Sequence, residues 1–171
     1  MQKPIFIIGY MGSGKSRLAK VLSESLNCSH HDLDDLISQT YGNTIEEIFN
    51  SEGEISFRKM ENKQLRLLNV NFGVVSMGGG TPCFYDNMNW MNSNGVTIYL
   101  RAKIPTLVKY LSKEDGVTRP LLRGVQKKDL PEFIAKHLFE RQYFYEQASI
   151  RCNIETLGWE DGLVQKITNL N

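Results

Sequence analysis

The chain is 171 residues long, 41% hydrophobic and 23% charged, a balance typical of globular proteins and outside the range of disordered ones. Twenty Lys and Arg against nineteen Asp and Glu leave a net charge of +1, which excludes the broad basic footprint of a nucleic-acid binder. No apolar run approaches the roughly 18 residues of a membrane span, so no membrane partner is expected. Ile5 to Ile8 is too short for a signal-peptide core. Cys28, Cys83 and Cys152 are odd in number, far apart and outside any CxxC, so they read as reduced structural thiols in a cytoplasmic protein. No repeat, low-complexity tract or linker interrupts the chain, and 1–171 reads as one domain. A domain of this size buries about 70% of its unfolded surface and needs no staple. Its small size and lack of heptads point to a monomer.

In chain order, Ile5 to Ile8 is a continuous apolar, β-branched run, the pattern of a strand buried on both faces. Ser16 to Leu26 predicts a helix through Ala19, Leu22 and Leu26. His30 to Leu33 is a short candidate strand. Thr44 and Glu47 form a capping box that opens a helix through Phe49. Glu54 to Asn69 is helical, with Phe57, Met60, Leu65 and Leu68 on one side. Val74 to Met77 and Val96 to Leu100 are strands. Asp129 and Glu132 predict a second capping box, opening a helix to Ala148. Ile150 to Ile154 is a last strand and Trp159 to Leu170 a closing helix. Strands alternating with helices imply an α/β fold with parallel pairing, and ligands at the carboxyl ends of the strands. Ser112 to Lys128 holds Gly116, Pro120 and Gly124 among many charges. A segment of this kind is either a solvated loop or a functional lid.

Gly9-Tyr10-Met11-Gly12-Ser13-Gly14-Lys15-Ser16 fits G-x-x-x-x-G-K-[ST] between a buried strand and an amphipathic helix. Gly12, Ser13 and Gly14 let backbone N–H groups turn toward phosphate oxygens. Lys15 supplies a mobile positive charge, Ser16 a hydroxyl for Mg²⁺, and the following helix the positive end of its dipole. A nucleoside triphosphate is the expected ligand.

Asp32 and Asp34, two apart, are expected to face one side of an extended strand end, with Leu33 turned to the core. One carboxylate then serves the metal and the other accepts a substrate proton; alternatively they are caps and surface acids. The strand Val74 to Met77 carries no acid, only Ser76, so Asp32 is the expected metal carboxylate. Gly78, Gly79 and Gly80 leave backbone open to a ligand, or form a plain flexible turn. Arg58 has Glu54 and Glu61 within a turn and reads either as a surface ion pair or as a ligand contact. Arg141 lies on the apolar stripe Ile134, Leu138, Tyr145. There it needs a buried acid partner, or a ligand carboxylate or phosphate. Arg119, before Pro120-Leu121-Leu122, is a candidate to close over the transferring phosphoryl group, with Arg123 a possible substitute.

Together these motifs resemble a shikimate kinase. The resemblance runs from the phosphate loop through Asp32-Leu33-Asp34, Gly53 to Arg58, Val74 to Gly80 and Arg119 to Leu122, to Arg141, Tyr145 and Ala148. It implies a three-layer P-loop kinase fold with a five-stranded parallel sheet in order 2-3-1-4-5 and a lid at about 112–126. It implies transfer of the ATP γ-phosphoryl group to the 3-hydroxyl of shikimate. Ser16 and Asp32 would serve Mg²⁺. Gly12 to Ser16, with Arg119, would hold ATP. Asp34 would bind shikimate and be the candidate base, with Lys15 and Arg119 also catalytic. Arg58, Arg141 and Gly78 to Gly80 would bind the acid. The family's adenine-covering arginine falls near Ser112 here, with Lys109 and Lys113 as substitutes and Glu155 to Trp159 opposite. A gluconate or nucleoside-monophosphate kinase, or a nucleotide-gated binding module without turnover, shares parts of this pattern.

Overall fold

The structure is a computed structural model, and it describes residues 3–68, 73–113 and 120–169. Among these, the strands β1 (Ile5–Gly9), β2 (Ser29–Asp32), β3 (Gly73–Ser76), β4 (Val96–Arg101) and β5 (Ile150–Asn153) form one sheet. Its order is β2-β3-β1-β4-β5, all neighbours parallel. That is the expected order. The register sets Asp32 beside Ser76, and Ser76 beside Ile7.

Alternation along β1 explains the two apolar layers. Ile5 and Ile7 point to one face and pack with Leu18, Leu22, Leu163 and Ile167. These come from α1 (Lys15–Leu26) and α7 (Trp159–Thr168). Phe6 and Ile8 point to the other face. They meet α2 (Leu33–Tyr41), α3 (Ile45–Leu67), α4 (Asn87–Asn94) and α6 (Leu130–Tyr145). A third apolar cluster joins Tyr10 and Met11 to Leu107 and Leu111 of α5 (Ile104–Leu111) and to Ile134 of α6. Leu121, Leu122 and Val125 pack against it, so the second half of the expected lid, 112–126, is docked over the phosphate loop.

Several elements differ from expectation. The predicted strand His30 to Leu33 ends one residue earlier, and an unpredicted helix, α2, begins at Leu33. Its apolar pair Leu33 and Ile37 is too short a pattern to have signalled a helix. The same holds for α4, with Met88 and Met91. α5 differs, since Ile104, Leu107, Val108 and Leu111 do repeat at helical spacing and signal a helix absent from the expected elements. The Thr44–Glu47 capping box forms as predicted, with both reciprocal hydrogen bonds present. The Asp129–Glu132 box does not. Asp129 is in a helical conformation and makes no side-chain cap bond, because a cap needs extended backbone to turn its oxygen back onto the first turn. The cysteines are unbridged. Burial pushes the Cys83 thiol up to about 12, leaving it protonated at neutral pH.

α3 is bent at Gly53, whose φ of 78° and ψ of 171° break the helical run. The break separates the capped first segment from the one that carries Phe57, Arg58 and Glu61. Nothing lies within 4 Å of a Cβ built there, so only backbone strain opposes a side chain. Gly53→Ala should destabilise the protein by about 1–3 kcal/mol, read as a fall of several degrees in melting temperature by calorimetry. An unchanged melting temperature would show that the bend carries no strain.

Candidate active site

β1 delivers the chain to the phosphate loop, and α1 begins at Lys15 directly after Gly14. No side chain caps this helix start, so its first N–H groups are left for an anion. Lys15 Nζ donates to the Tyr10 carbonyl at 3.0 Å, tethered across the loop. Gly12, Ser13, Gly14, Lys15 and Ser16 line one side of a cleft of about 690 Å³, and Asp32, Asp34, Gly78 and Gly79 line another.

The Ser16 hydroxyl donates to Asp32 Oδ2 at 2.9 Å and lies 3.3 Å from Ser76 Oγ. β3 thus offers a hydroxyl where an acid was noted as missing, and the carboxylate comes from the neighbouring strand. Among the described residues no cluster of three or more His, Cys, Asp or Glu could hold a metal. An ion here would rest on the hard oxygens of Ser16 and Asp32 and on nucleotide phosphate. Mg²⁺ has that preference.

Asp32 and Asp34 do meet in the cleft, but not by strand alternation. Asp32 is the N-cap of α2 and its Oδ1 accepts from the Asp34 N–H at 3.1 Å. Asp34 stands in the first helical turn, so a helix start rather than a pleat brings the two carboxyls together. Asp34 Oδ1 is sealed from solvent and has no hydrogen-bond partner. Burial, then the charges of Asp32 and Glu61, push the Asp34 carboxyl up to about 7, against the pull of Lys15 and Arg58.

The glycine turn after β3 brings the predicted acceptor residues together. A Cβ at Gly78 would stand 3.1 Å from Asp34 Oδ1 and 2.8 Å from Glu61 Oε1. At Gly79 it would lie 3.8 Å from Arg141 Nη1, and at Gly80 it would strike the Arg58 guanidinium at 2.6 Å. Each of three consecutive glycines therefore faces one of Asp34, Arg141 and Arg58. The turn is pinned by the Tyr145 hydroxyl, which donates to the Gly79 carbonyl at 2.5 Å.

The two arginines differ in kind. Arg58 is not a surface residue: its side chain is 5% exposed and held by Glu61 at 2.9 Å and Glu54 at 3.1 Å. Its guanidinium stacks 4.5 Å from the Phe84 ring centroid. Arg141 is also buried, yet it has no ion pair among the described residues. Its Nη1 makes no hydrogen bond, and its guanidinium lies 5.7 Å from the Tyr10 ring. Among the described residues, no acid takes the place of a buried partner for Arg141.

Arg119 lies outside the described residues. Arg123 is not its substitute, because it pairs with Glu46 and Asn50 on the first segment of α3. At the far end of the cleft stand Tyr110, Lys113, Ile154 and Trp159. Lys113, but not Lys109, is thus on the expected adenine side. Glu155 turns away and accepts from the Lys103 N–H and Thr106. Sequence reasoning missed the burial of Glu61 and the roles of Tyr10 and Thr81; only their apolar or glycine-rich settings hinted at burial.

The Asp34 environment makes a stability prediction. Between the ordinary 3.8 and about 7, the native state holds a proton that the unfolded chain has released, so stability falls as pH rises through that window. Asp34→Asn, in nucleotide-free and metal-free protein, should melt higher than wild type at pH 8, by an amount on the order of a few kcal/mol. The difference should vanish near pH 4. A variant less stable than wild type at pH 8 would mean that the ionised carboxylate is stabilised in place.

Comparison with known proteins bears directly on this geometry. The shikimate kinase family model matches residues 11–170. A shikimate kinase of Azobacteroides pseudotrichonymphae is 41% identical over 159 residues, covering 92% of this chain and 93% of that protein. The crystal structure of shikimate kinase from Bacteroides thetaiotaomicron superimposes with a TM-score of 0.87 at 36% identity, over 98% of this chain and 97% of the other. Shikimate kinase from Acinetobacter baumannii in complex with shikimate gives 0.86 at 28% identity, over 99% and 93%. A P-loop beside a buried, uncompensated arginine is thus accompanied by likeness along almost the whole length, and the chain belongs to the shikimate kinase family.

Proposed function

We propose that this chain is a shikimate kinase, transferring the ATP γ-phosphoryl group to the 3-hydroxyl of shikimate to give shikimate 3-phosphate and ADP. The observation that carries the reading is the glycine turn 78–80, whose three bare Cα positions face Asp34, Arg141 and Arg58 beside the phosphate loop. A cyclic hydroxy acid has the matching groups: a carboxylate for guanidinium and hydroxyls for a carboxylate.

ATP lies with its phosphates on the loop Gly12 to Ser16, under the N–H groups of α1 and the Lys15 ammonium. Ser16 and Asp32 would hold Mg²⁺, which when bound offsets phosphate charge. Arg141 takes the acceptor carboxylate, since a buried guanidinium with no counter-ion among the described residues gains most from an anion. Arg58, already neutralised by Glu54 and Glu61, adds direction more than charge. Asp34 orients the 3-hydroxyl toward the γ-phosphorus and receives its proton as the new P–O bond forms and the bond to ADP breaks. Because the transition state is loose, alignment and charge stabilisation outweigh base strength. Arg119, in the lid at 112–126, is assigned the role of offsetting charge on the transferring group, and the lid's docked half would exclude water from it. Tyr110, Lys113 and Trp159 flank the base. The whole chain, 1–171, acts as one monomeric domain, and its unbridged cysteines suit the cytoplasm.

Coupled ADP release should respond to shikimate and not to gluconate or nucleoside monophosphates. Turnover with gluconate alone would reassign the acceptor. Arg141→Ala should raise the KM for shikimate about 10–100-fold, the loss of a charged hydrogen bond, with the KM for ATP near wild type. Unchanged shikimate affinity by titration would remove Arg141 from the acceptor site.

A further inference from the structure

Glu61 is fully buried, and its two oxygens have different partners. Oε2 accepts from Arg58 Nη1 at 2.9 Å, while Oε1 accepts from the Thr81 hydroxyl at 2.5 Å. Oε1 and Asp34 Oδ1 also converge on the side-chain face of Gly78, 2.8 and 3.1 Å from the position a Cβ would take there. Two carboxyls that close repel when ionised. A carboxylate held only by Arg58 would be free to rotate or withdraw, and Arg58 would move with it.

Thr81 is itself fixed at three points. Its N–H donates to the Gly78 carbonyl at 3.1 Å, closing the glycine turn. Its carbonyl accepts from Asn87 Nδ2 at 2.9 Å, and Asn87 Oδ1 accepts from Asn62 Nδ2 at 2.7 Å. Thr81 and Asn87 are both fully buried. A hydrogen-bonded chain thus runs from α4 through the turn to α3, and its last link is a single hydroxyl.

We propose that Thr81 is a positioning residue of the acceptor pocket: its hydroxyl clamps the Glu61 carboxylate and thereby sets where Arg58 meets the acid substrate. It touches neither substrate in this arrangement and acts through Glu61. The inference rests on the reading of Arg58 as an acceptor contact.

The test is steady-state kinetics on Thr81→Val, which keeps the shape and removes the donor, and on Thr81→Ser, which keeps the donor. Thr81→Val should raise the KM for shikimate about tenfold, the effect of leaving one lone pair of a buried charge unmet, with the KM for ATP within about twofold. Thr81→Ser should restore the shikimate KM. A shikimate KM within about twofold of wild type in Thr81→Val, or equal rises in both KM values, would overturn the proposal. So would failure of Thr81→Ser to restore it. Should Thr81→Val not fold, Glu61→Gln reads the same chain from its other end: a raised shikimate KM with an unchanged ATP KM supports the clamp, and unchanged kinetics overturn it. Wild-type protein that releases no ADP with shikimate would instead overturn the proposed function, and this inference with it.

Discussion

A buried guanidinium with no carboxylate paired to it among the described residues is the constraint on which this site depends. Burying a guanidinium is costly until an anion arrives. The fold tolerates that cost by laying the group near the Tyr10 ring and by leaving bare backbone at Gly79. Tyr10 belongs to the phosphate loop, so the surface that supports Arg141 is continuous with the loop at 9–16. On the proposed function, two anionic reactants would take adjacent, separately neutralised seats in a protein whose net charge is +1.

Charge is distributed unevenly within the acceptor pocket. Arg58 is balanced by Glu54 and Glu61, whereas Arg141 is balanced by nothing described. One arginine is therefore fixed by its own helix, and the other is the one that the proposed function gives to the anion. Asp34 sits between like charges, from Asp32 and Glu61, and opposite ones, from Lys15 and Arg58. Its sealed Oδ1 lacks a donor, which a substrate hydroxyl would supply. The pocket is arranged around unmet partners rather than around completed bonds.

Some of this was legible in the sequence because it rests on local rules. The phosphate loop needs contiguous residues between a buried strand and a helix, and Ile5 to Leu26 displays them in order. The stripe Ile134, Leu138, Arg141, Tyr145 is a property of helical spacing, and it placed Arg141 inside. The pairing of Asp32 with Asp34 was also anticipated, but through the wrong geometry. A two-residue offset suits both a strand face and an N-cap with its first turn, and only the onset of α2 separates them. The short helices α2 and α4 were missed because eight or nine residues hold barely one apolar repeat, whereas α5, with Ile104, Leu107, Val108 and Leu111 at helical spacing, was legible and overlooked.

What the sequence by itself determined is the sheet core and its hydrophobic faces, the phosphate loop and the identity of the candidate charged groups, since each follows from periodicity or contiguous spacing. Tertiary structure alone decided which charges are neutralised. Arg58 and Arg141 look alike as letters, and both are buried. One finds two carboxylates within its own helix, and the other finds none among the described residues. Likewise Glu61 meets Thr81, and Gly78 meets Asp34, only because β3 ends where α2 and α3 pass over it. Pair energies of charged groups depend on distance and burial, and those are set by packing among segments far apart in the chain.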